Sequence, residues 1–234
     1  MEMQSSSGNV VEEVGGSSNK KENVLPPMAG GNPNKKTLVL DLDGTLVHTS
    51  LMPMPLGYHF TINVSVQGCD KPLYVVKRPG VDQLLLQLGS TGLYEIVIFT
   101  ASHKAYADAV LDKILDSLPS SSQGRNLIPP THRLTRNYCT KIRVKGEPHK
   151  VKDLSILGRD LKKVIIVDDR EMSFLLQPEN GILVDCWTGQ QVRDADLFHV
   201  LSFCLKIEDP KLPYSATEDV TELIQELIYD ELSE

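Results

Sequence analysis

Thr37-Leu38-Val39-Leu40-Asp41-Leu42-Asp43-Gly44-Thr45-Leu46-Val47-His48-Thr49-Ser50 sets an apolar, β-rich run directly against two carboxylates and a glycine. Such a run reads as a buried strand that delivers Asp41 and Asp43 to its carboxyl end, the edge at which open α/β sheets place their ligands. Two acids one residue apart point to opposite faces if the strand continues. Gly44 is therefore needed to turn the chain and bring both into one small volume. An acidic turn after a core strand explains a lone D-x-D equally well, so the residues that meet this pair decide between the two readings.

Two further apolar runs end in the same way. Tyr94-Glu95-Ile96-Val97-Ile98-Phe99 stops at Thr100-Ala101-Ser102, and Lys163-Val164-Ile165-Ile166-Val167 stops at Asp168-Asp169-Arg170. Helical spacing of apolar residues predicts helices at 81–88, 104–118 and 195–206, and a short helix over 151–157 that Lys152 opens. The β-rich stretches 59–66 and 72–77 flank Gln67-Gly68-Cys69-Asp70-Lys71 and predict a hairpin. A last short strand is expected at Ile182-Leu183-Val184. Strands alternating with helices specify an α/β fold, a mainly parallel, Rossmann-like sheet with helices on both faces and a small hairpin insertion.

Residues 1–34 are rich in Ser, Gly, Asn and Pro and are expected to be a disordered lead-in, because so little apolar content cannot repay the ordering entropy. The folded domain is expected at 35–207. An acidic tail, 208–234, carries one amphipathic pattern from Val220 to Tyr229, expected to dock on the core. The 234 residues have a formal charge of −7, which argues against a general nucleic-acid binder. Cys69, Cys139, Cys186 and Cys204 form no C-x-x-C and are expected as buried free thiols in a reducing compartment. The chain start has neither a basic region nor an apolar stretch, so no secretory signal is expected. No apolar run approaches the ~20 residues that span a bilayer, so a soluble protein with no membrane partner is expected.

Parallel strands bring the three polar ends together. Four carboxylates at one edge repel one another unless a cation neutralises them, and oxygen-only ligands suit a hard ion such as Mg²⁺. No histidine pair or cysteine set offers a zinc site. Lys152 supplies a fixed positive charge between the second and third strand ends. Magnesium, a lysine and strand-end hydroxyls together describe a phosphate pocket.

The first of these motifs, D-x-D-x-[TV], resembles that of the aspartate-nucleophile phosphatases of the haloacid dehalogenase superfamily. More narrowly, the chain resembles the small C-terminal-domain phosphatases (FCP/SCP-like, NLI-interacting-factor-like), which remove phosphate from serine in the tail of RNA polymerase II. The similar stretches are Val76-Lys77-Arg78-Pro79, Phe99-Thr100-Ala101-Ser102, Tyr106-Ala107-Asp108, Val151-Lys152-Asp153-Leu154-Ser155 and Leu157-Gly158-Arg159-Asp160. They run from about residue 36 to 205. The resemblance implies that Asp41 attacks phosphorus and that Asp43 is the acid/base, oriented by Thr45. It implies that Thr100 binds phosphate oxygen and that Lys152 neutralises charge. It also implies a Mg²⁺ held by Asp41, the backbone carbonyl of Asp43 and a residue of the third strand end. Asp169 is the preferred direct ligand and Asp168 the partner of Lys152, although either carboxylate can serve.

Neither 46–93 nor 102–152 is long enough for a large lid domain, so the site is expected to be open and to suit a protein segment rather than a small molecule. Within 132–163, ten Lys or Arg face three Asp or Glu, a field for a phosphorylated or acidic partner. The resemblance adds Ser102, Tyr106 and Arg136 as substrate-binding residues. Two departures from it stand out: Gly44 replaces the usual Glu of small members, and 140–150 is a few residues longer. The expected function is a Mg²⁺-dependent protein serine/threonine phosphatase, nuclear or nucleocytoplasmic, and monomeric. The alternatives are a catalytically silent phosphopeptide-binding or import scaffold on the same fold, or a small-molecule phosphatase.

Overall fold

The computed structural model describes residues 11–13, 23–28, 32, 34–66, 69–119, 124–191, 193–209, 211 and 219–231. In chain order the elements are β1 (Val11–Glu13), β2 (Lys36–Leu40), β3 (Val47–Ser50), β4 (Phe60–Val66), β5 (Cys69–Lys77) and α1 (Val81–Thr91). Then follow β6 (Tyr94–Phe99), α2 (Lys104–Ser117), α3 (Gly124–Leu127), β7 (Arg133–Leu134), β8 (Thr140–Val144) and β9 (Glu147–Val151). The chain closes with β10 (Val164–Asp168), β11 (Gly181–Leu183), α4 (Asp196–Lys206) and α5 (Val220–Glu231).

The central sheet has five parallel strands in the order β11-β10-β2-β6-β7. Register sets Leu40 beside Val167 on one side and beside Ile98 on the other, so the three strands end level and their polar continuations meet. Side chains alternate with period two. Leu38, Leu40, Ile96, Ile98, Ile165 and Val167 join one buried cluster with α1, α2, α4 and α5. Their neighbours Val39, Val97, Phe99, Val164 and Ile166 join a second cluster with Leu134, Leu154, Ile156, Leu157 and Phe174. At ~1.5–3 kcal/mol for each large apolar side chain removed from water, this two-sided burial holds the polar edge in place. Helices α1 and α2 arise where the apolar residues recur at helical spacing: Val81, Leu84, Leu85 and Leu88 are buried on the first, Ala107, Val110, Leu111, Ile114 and Leu115 on the second.

Several sequence expectations need adjustment. The second face is covered near the site by single 3-10 turns, Leu154–Leu157 and Glu171–Phe174, not by full helices. The insertion after β2 is a three-stranded antiparallel sheet, β3-β5-β4, not a bare hairpin. Lys152 does not open a helix. It follows β9, the second arm of a hairpin whose two-residue turn is Lys145-Gly146, with φ values of 51° and 85°, the backbone signature of a tight twisted hairpin. Residues 23–28, assigned above to the lead-in, pack on the domain: Leu25 is buried in the second cluster, the Val24 amide donates to the Ile156 carbonyl at 2.9 Å, and Arg159 donates to the Pro26 carbonyl at 2.7 Å. The rest of 1–34, apart from 11–13, 32 and 34, lies outside the described residues. In the tail, α5 docks through buried Val220, Leu223 and Ile224. Of the thiols, Cys204 is buried, Cys139 intermediate and Cys186 exposed, so burial does not extend to all of them. No helix among the described residues is long and apolar enough to cross a membrane.

Candidate active site

Asp41 leaves the end of β2 with its amide donating to the Val167 carbonyl at 3.0 Å, which continues the parallel ladder one residue past the strand. Gly44, at φ +89°, then turns the chain, and a Cβ there would stand 2.5 Å from Asp169 Oδ2. A side chain is therefore excluded at this position by both backbone conformation and the approach of Asp169. The loop so formed is held from behind. Buried Arg78 donates to both oxygens of Asp194, at 2.8 and 2.6 Å, and to Asp196 at 2.7 Å, while its remaining nitrogen approaches the Gly44 and Thr45 carbonyls at 3.5 Å. The Trp187 amide donates to the Gly44 carbonyl at 2.7 Å.

Lys152 Nζ donates to Asp41 Oδ1 and, at 2.5 Å, to Asp168 Oδ2. All three are buried. Burial works against the lysine charge, but the two carboxylates outweigh it and hold Lys152 above its ordinary value, so it stays an ammonium. Burial pushes the Asp41 carboxyl above the usual carboxylate range, against the pull of Lys152 and with the charge of Asp168 adding to the rise. The remaining Asp168 oxygen accepts from the Arg170 amide at 2.9 Å. Asp169, by contrast, has a buried Oδ1 with no partner among the described residues.

Oxygens of Asp41, Asp168 and Asp169 lie within 4.8 Å of one another. With these acids ionised, the single Lys152 ammonium leaves the centre net negative. An oxygen-only donor set with one orphaned carboxylate oxygen fits a hard divalent cation such as Mg²⁺.

Asp43 stands apart from that group. Its carboxylate accepts from Ser102 Oγ at 2.7 Å and from the Tyr106 hydroxyl, and Tyr106 also contacts Thr49 Oγ1 at 2.6 Å. The Ser102 amide donates to Thr100 Oγ1 at 3.1 Å, which fixes Thr100 and Ser102 as one turn at the end of β6. Two carboxylates one residue apart thus occupy different environments, one buried on a lysine and one held by two hydroxyls near the surface.

Most sequence-selected residues converge: Asp41, Lys152, Asp168 and Asp169 in one group, Asp43, Ser102 and Tyr106 in a second. Thr45 differs from expectation, because its buried Oγ1 has no partner among the described residues and Ser102 and Tyr106 hold Asp43 instead. Arg136 is half-buried, with Nε on the Ala101 carbonyl at 2.8 Å and Nη1 on His103 Nε2 at 2.8 Å. Its guanidinium thus braces the turn that carries Ser102. Arg78, Thr49 and Trp187 were given no role from sequence. Arg78 lies in one of the quoted motifs, but its partners are 116 and 118 residues away, a separation no local pattern reveals.

A parallel sheet whose strand ends gather acids around one lysine is the arrangement that the resemblance to the aspartate-nucleophile phosphatases implies. The chain belongs to the NLI interacting factor-like phosphatase family, whose profile matches residues 36–214. It is 42% identical over 191 residues to a "Probable C-terminal domain small phosphatase" of Dictyostelium discoideum, covering 81% of this chain and 57% of that protein. It is 38% identical over 180 residues to the human "CTD small phosphatase-like protein", covering 77% and 59%. Against the human "Carboxy-terminal domain RNA polymerase II polypeptide A small phosphatase 1" it is 37% identical over 180 residues, covering 77% and 62%. The chain spans less than two thirds of each of these relatives.

Proposed function

We propose that this chain is a protein serine/threonine phosphatase that works through a covalent phosphoryl group on Asp41. A carboxylate oxygen of Asp41 attacks phosphorus, the bond from phosphorus to the serine or threonine oxygen breaks, and protonated Asp43 gives its proton to that oxygen. Asp43, now a carboxylate, then takes a proton from water as the water attacks phosphorus, which breaks the bond to Asp41 and releases inorganic phosphate. Splitting one displacement into two lets each step use a positioned nucleophile and a positioned acid or base. Lys152 orients the Asp41 carboxylate and offsets charge on the transferring group. Asp41, Asp169 and the Asp43 carbonyl would hold Mg²⁺, which when bound supplies charge neutralisation at the phosphoryl oxygens. Thr100 and Thr45 offer hydroxyls to those oxygens.

The observation that carries this reading is the separation of the two acids: Asp41 fixed on a buried ammonium, Asp43 held by Ser102 and Tyr106 where a leaving oxygen can reach it. Neighbouring carboxylates placed in contrasting environments take on different chemical roles. A protein segment as substrate is supported by the lip beside Thr49, where Leu51, Met52 and Leu56 are 70%, 71% and 68% exposed. Such an exposed apolar group beside a polar site suits a peptide more than a metabolite. By analogy with its relatives, we place the phosphoserine-bearing tail of RNA polymerase II as the candidate substrate and the nucleus as the site of action. The test is release of phosphate from a phosphoserine peptide and from a panel of metabolite phosphates, with Mg²⁺ and with excess chelator. Peptide turnover that needs Mg²⁺ and stops with beryllium fluoride is expected. Turnover in chelator, or preference for a metabolite, would overturn the reading.

A further inference from the structure

The hairpin β8–β9 is where positive charge is most concentrated next to the site. Lys141, Arg143, Lys145 and Lys150 stand against Glu147 between 140 and 151, and all four cations are exposed. Both feet of the hairpin are tied to the candidate active site. Cys139 Sγ, just before β8, contacts the Thr100 carbonyl at 3.9 Å, and Lys152, just after β9, is the buried ammonium itself.

One edge of β8 is paired with β9 over five residues, from Thr140↔Val151 to Val144↔Glu147. The other edge is paired with the three residues of β1, in the register Val11↔Val144, Glu12↔Arg143, Glu13↔Ile142. The strand that fills this edge comes from the run Val10-Val11-Glu12-Glu13-Val14. By sequence the segment is acidic and β8 is basic, and the register sets Glu12 opposite Arg143, the order that charge complementarity between paired strands favours.

Three paired residues make a marginal ladder. Main-chain bonds of this kind are indifferent to sequence, and the facing side chains decide which segment is accepted. We infer that the outer edge of β8 is a docking edge for an extended acidic segment of a partner protein, and that β1 occupies it in the resting chain as a displaceable intramolecular stand-in. A segment docked there runs alongside the hairpin that carries Lys152. The inference rests on the pairing of β1 with β8 and does not depend on the phosphatase chemistry.

The test uses the full chain and its Glu12→Pro variant, in which the imino acid removes an amide donor from β1 and obstructs the ladder. The probe is a labelled synthetic peptide copying residues 8–14, followed by fluorescence anisotropy, with amide hydrogen exchange read over 140–144. In the variant, β8 amides should exchange at least ~5-fold faster, and saturating peptide should restore their protection. The peptide should bind the variant at least ~10-fold more tightly than the native chain, because it no longer competes with a tethered strand. Its affinity should fall as salt rises, and a peptide carrying Glu12→Lys and Glu13→Lys should not bind. Unchanged β8 exchange in the variant, equal peptide affinity for both chains, or equal binding of the lysine peptide would each overturn the inference. These readouts do not involve turnover, so a chain without phosphatase activity would leave them intact.

Discussion

Asp41 and Glu95 are both buried acids on adjacent parallel strands, one just past the end of β2 and the other near the start of β6, and each meets a buried cation. Around Glu95 every bonding position is used. Oε1 accepts from His132 at 3.0 Å and Arg159 at 2.8 Å, and Oε2 accepts from Arg159 at 2.7 Å and Thr37 at 3.1 Å. Burial alone would push this carboxyl up, but the hydrogen bonds from Arg159 and His132 outweigh it and hold the group at about 2. Around Asp41 the same ingredients are left incomplete. Lys152 is shared between two carboxylates, and Asp169 Oδ1 and Thr45 Oγ1 lack partners among the described residues. The satisfied cluster can do nothing further except hold the chain. The unsatisfied one retains capacity for a cation and a phosphoryl group, at a cost in stability that the saturated cluster and the core offset.

The sharpest break in this comparison is expected from Asp41→Asn. The amide cannot attack phosphorus, so phosphopeptide turnover should fall by ~10³-fold or more, while the unfolding midpoint in urea should move little. A variant with near-native turnover would place the nucleophile elsewhere. The converse is expected for Glu95→Gln, where kcat should be unchanged and stability should fall by about 3 kcal/mol, because the Arg159 guanidinium is left buried without its counter-charge. Urea denaturation with a parallel turnover assay separates the two.

The same pair differs in acid. Glu95 sits at about 2 in the fold against an ordinary 4.5, so between those values the unfolded chain binds a proton that the folded chain does not. Its contribution, about 3 kcal/mol, is complete above the ordinary value and is lost as pH falls towards 2. The native chain minus Glu95→Gln, measured by denaturation from pH 6 downwards, should show a stability difference that shrinks over that window. A constant difference would remove the ion pair from the account.

Asp169→Ala bears on the unsatisfied side alone. The Mg²⁺ concentration for half-maximal turnover should rise by at least about 10-fold, as expected when a carboxylate is removed from the ion's surroundings. The stabilisation that Mg²⁺ gives the native chain in thermal melts should disappear with it. Melts that respond equally to Mg²⁺ in both chains would take the ion away from Asp169. The smallest expected effect is that of Thr37→Val, which deletes one bond to Glu95 and should cost about 1 kcal/mol with no change in Mg²⁺ response.

How far these two regions could be read in advance follows from range. Asp41, Asp43, Thr100, Asp168 and Asp169 were legible because a buried strand announces itself as an apolar run, and the residue after the run marks the sheet edge. Lys152 was legible as a charge but not in its setting. The sequence runs Val151 and Lys152 forward into the Leu154–Leu157 turn, whereas Val151 pairs back with Thr140 and the Lys152 amide donates to the Ser173 carbonyl at 2.6 Å. Arg78 and Arg159 could not be assigned at all, since their carboxylate partners lie 64 to 118 residues away. Leu25 was lost in the average of its segment. One leucine with one valine does not raise the apolar content of residues 1–34, yet a single side chain is enough to fill a single seat.

That seat has a history in time as well as a place. Leu25 is made early, but its neighbours in the second cluster extend to Phe174, about 150 residues later on the ribosome, which at 5–20 residues per second is a wait on the order of 10 s. Through that interval the cluster that buries Leu25 is incomplete. The last-made members of the cluster therefore complete the surroundings of its first-made one.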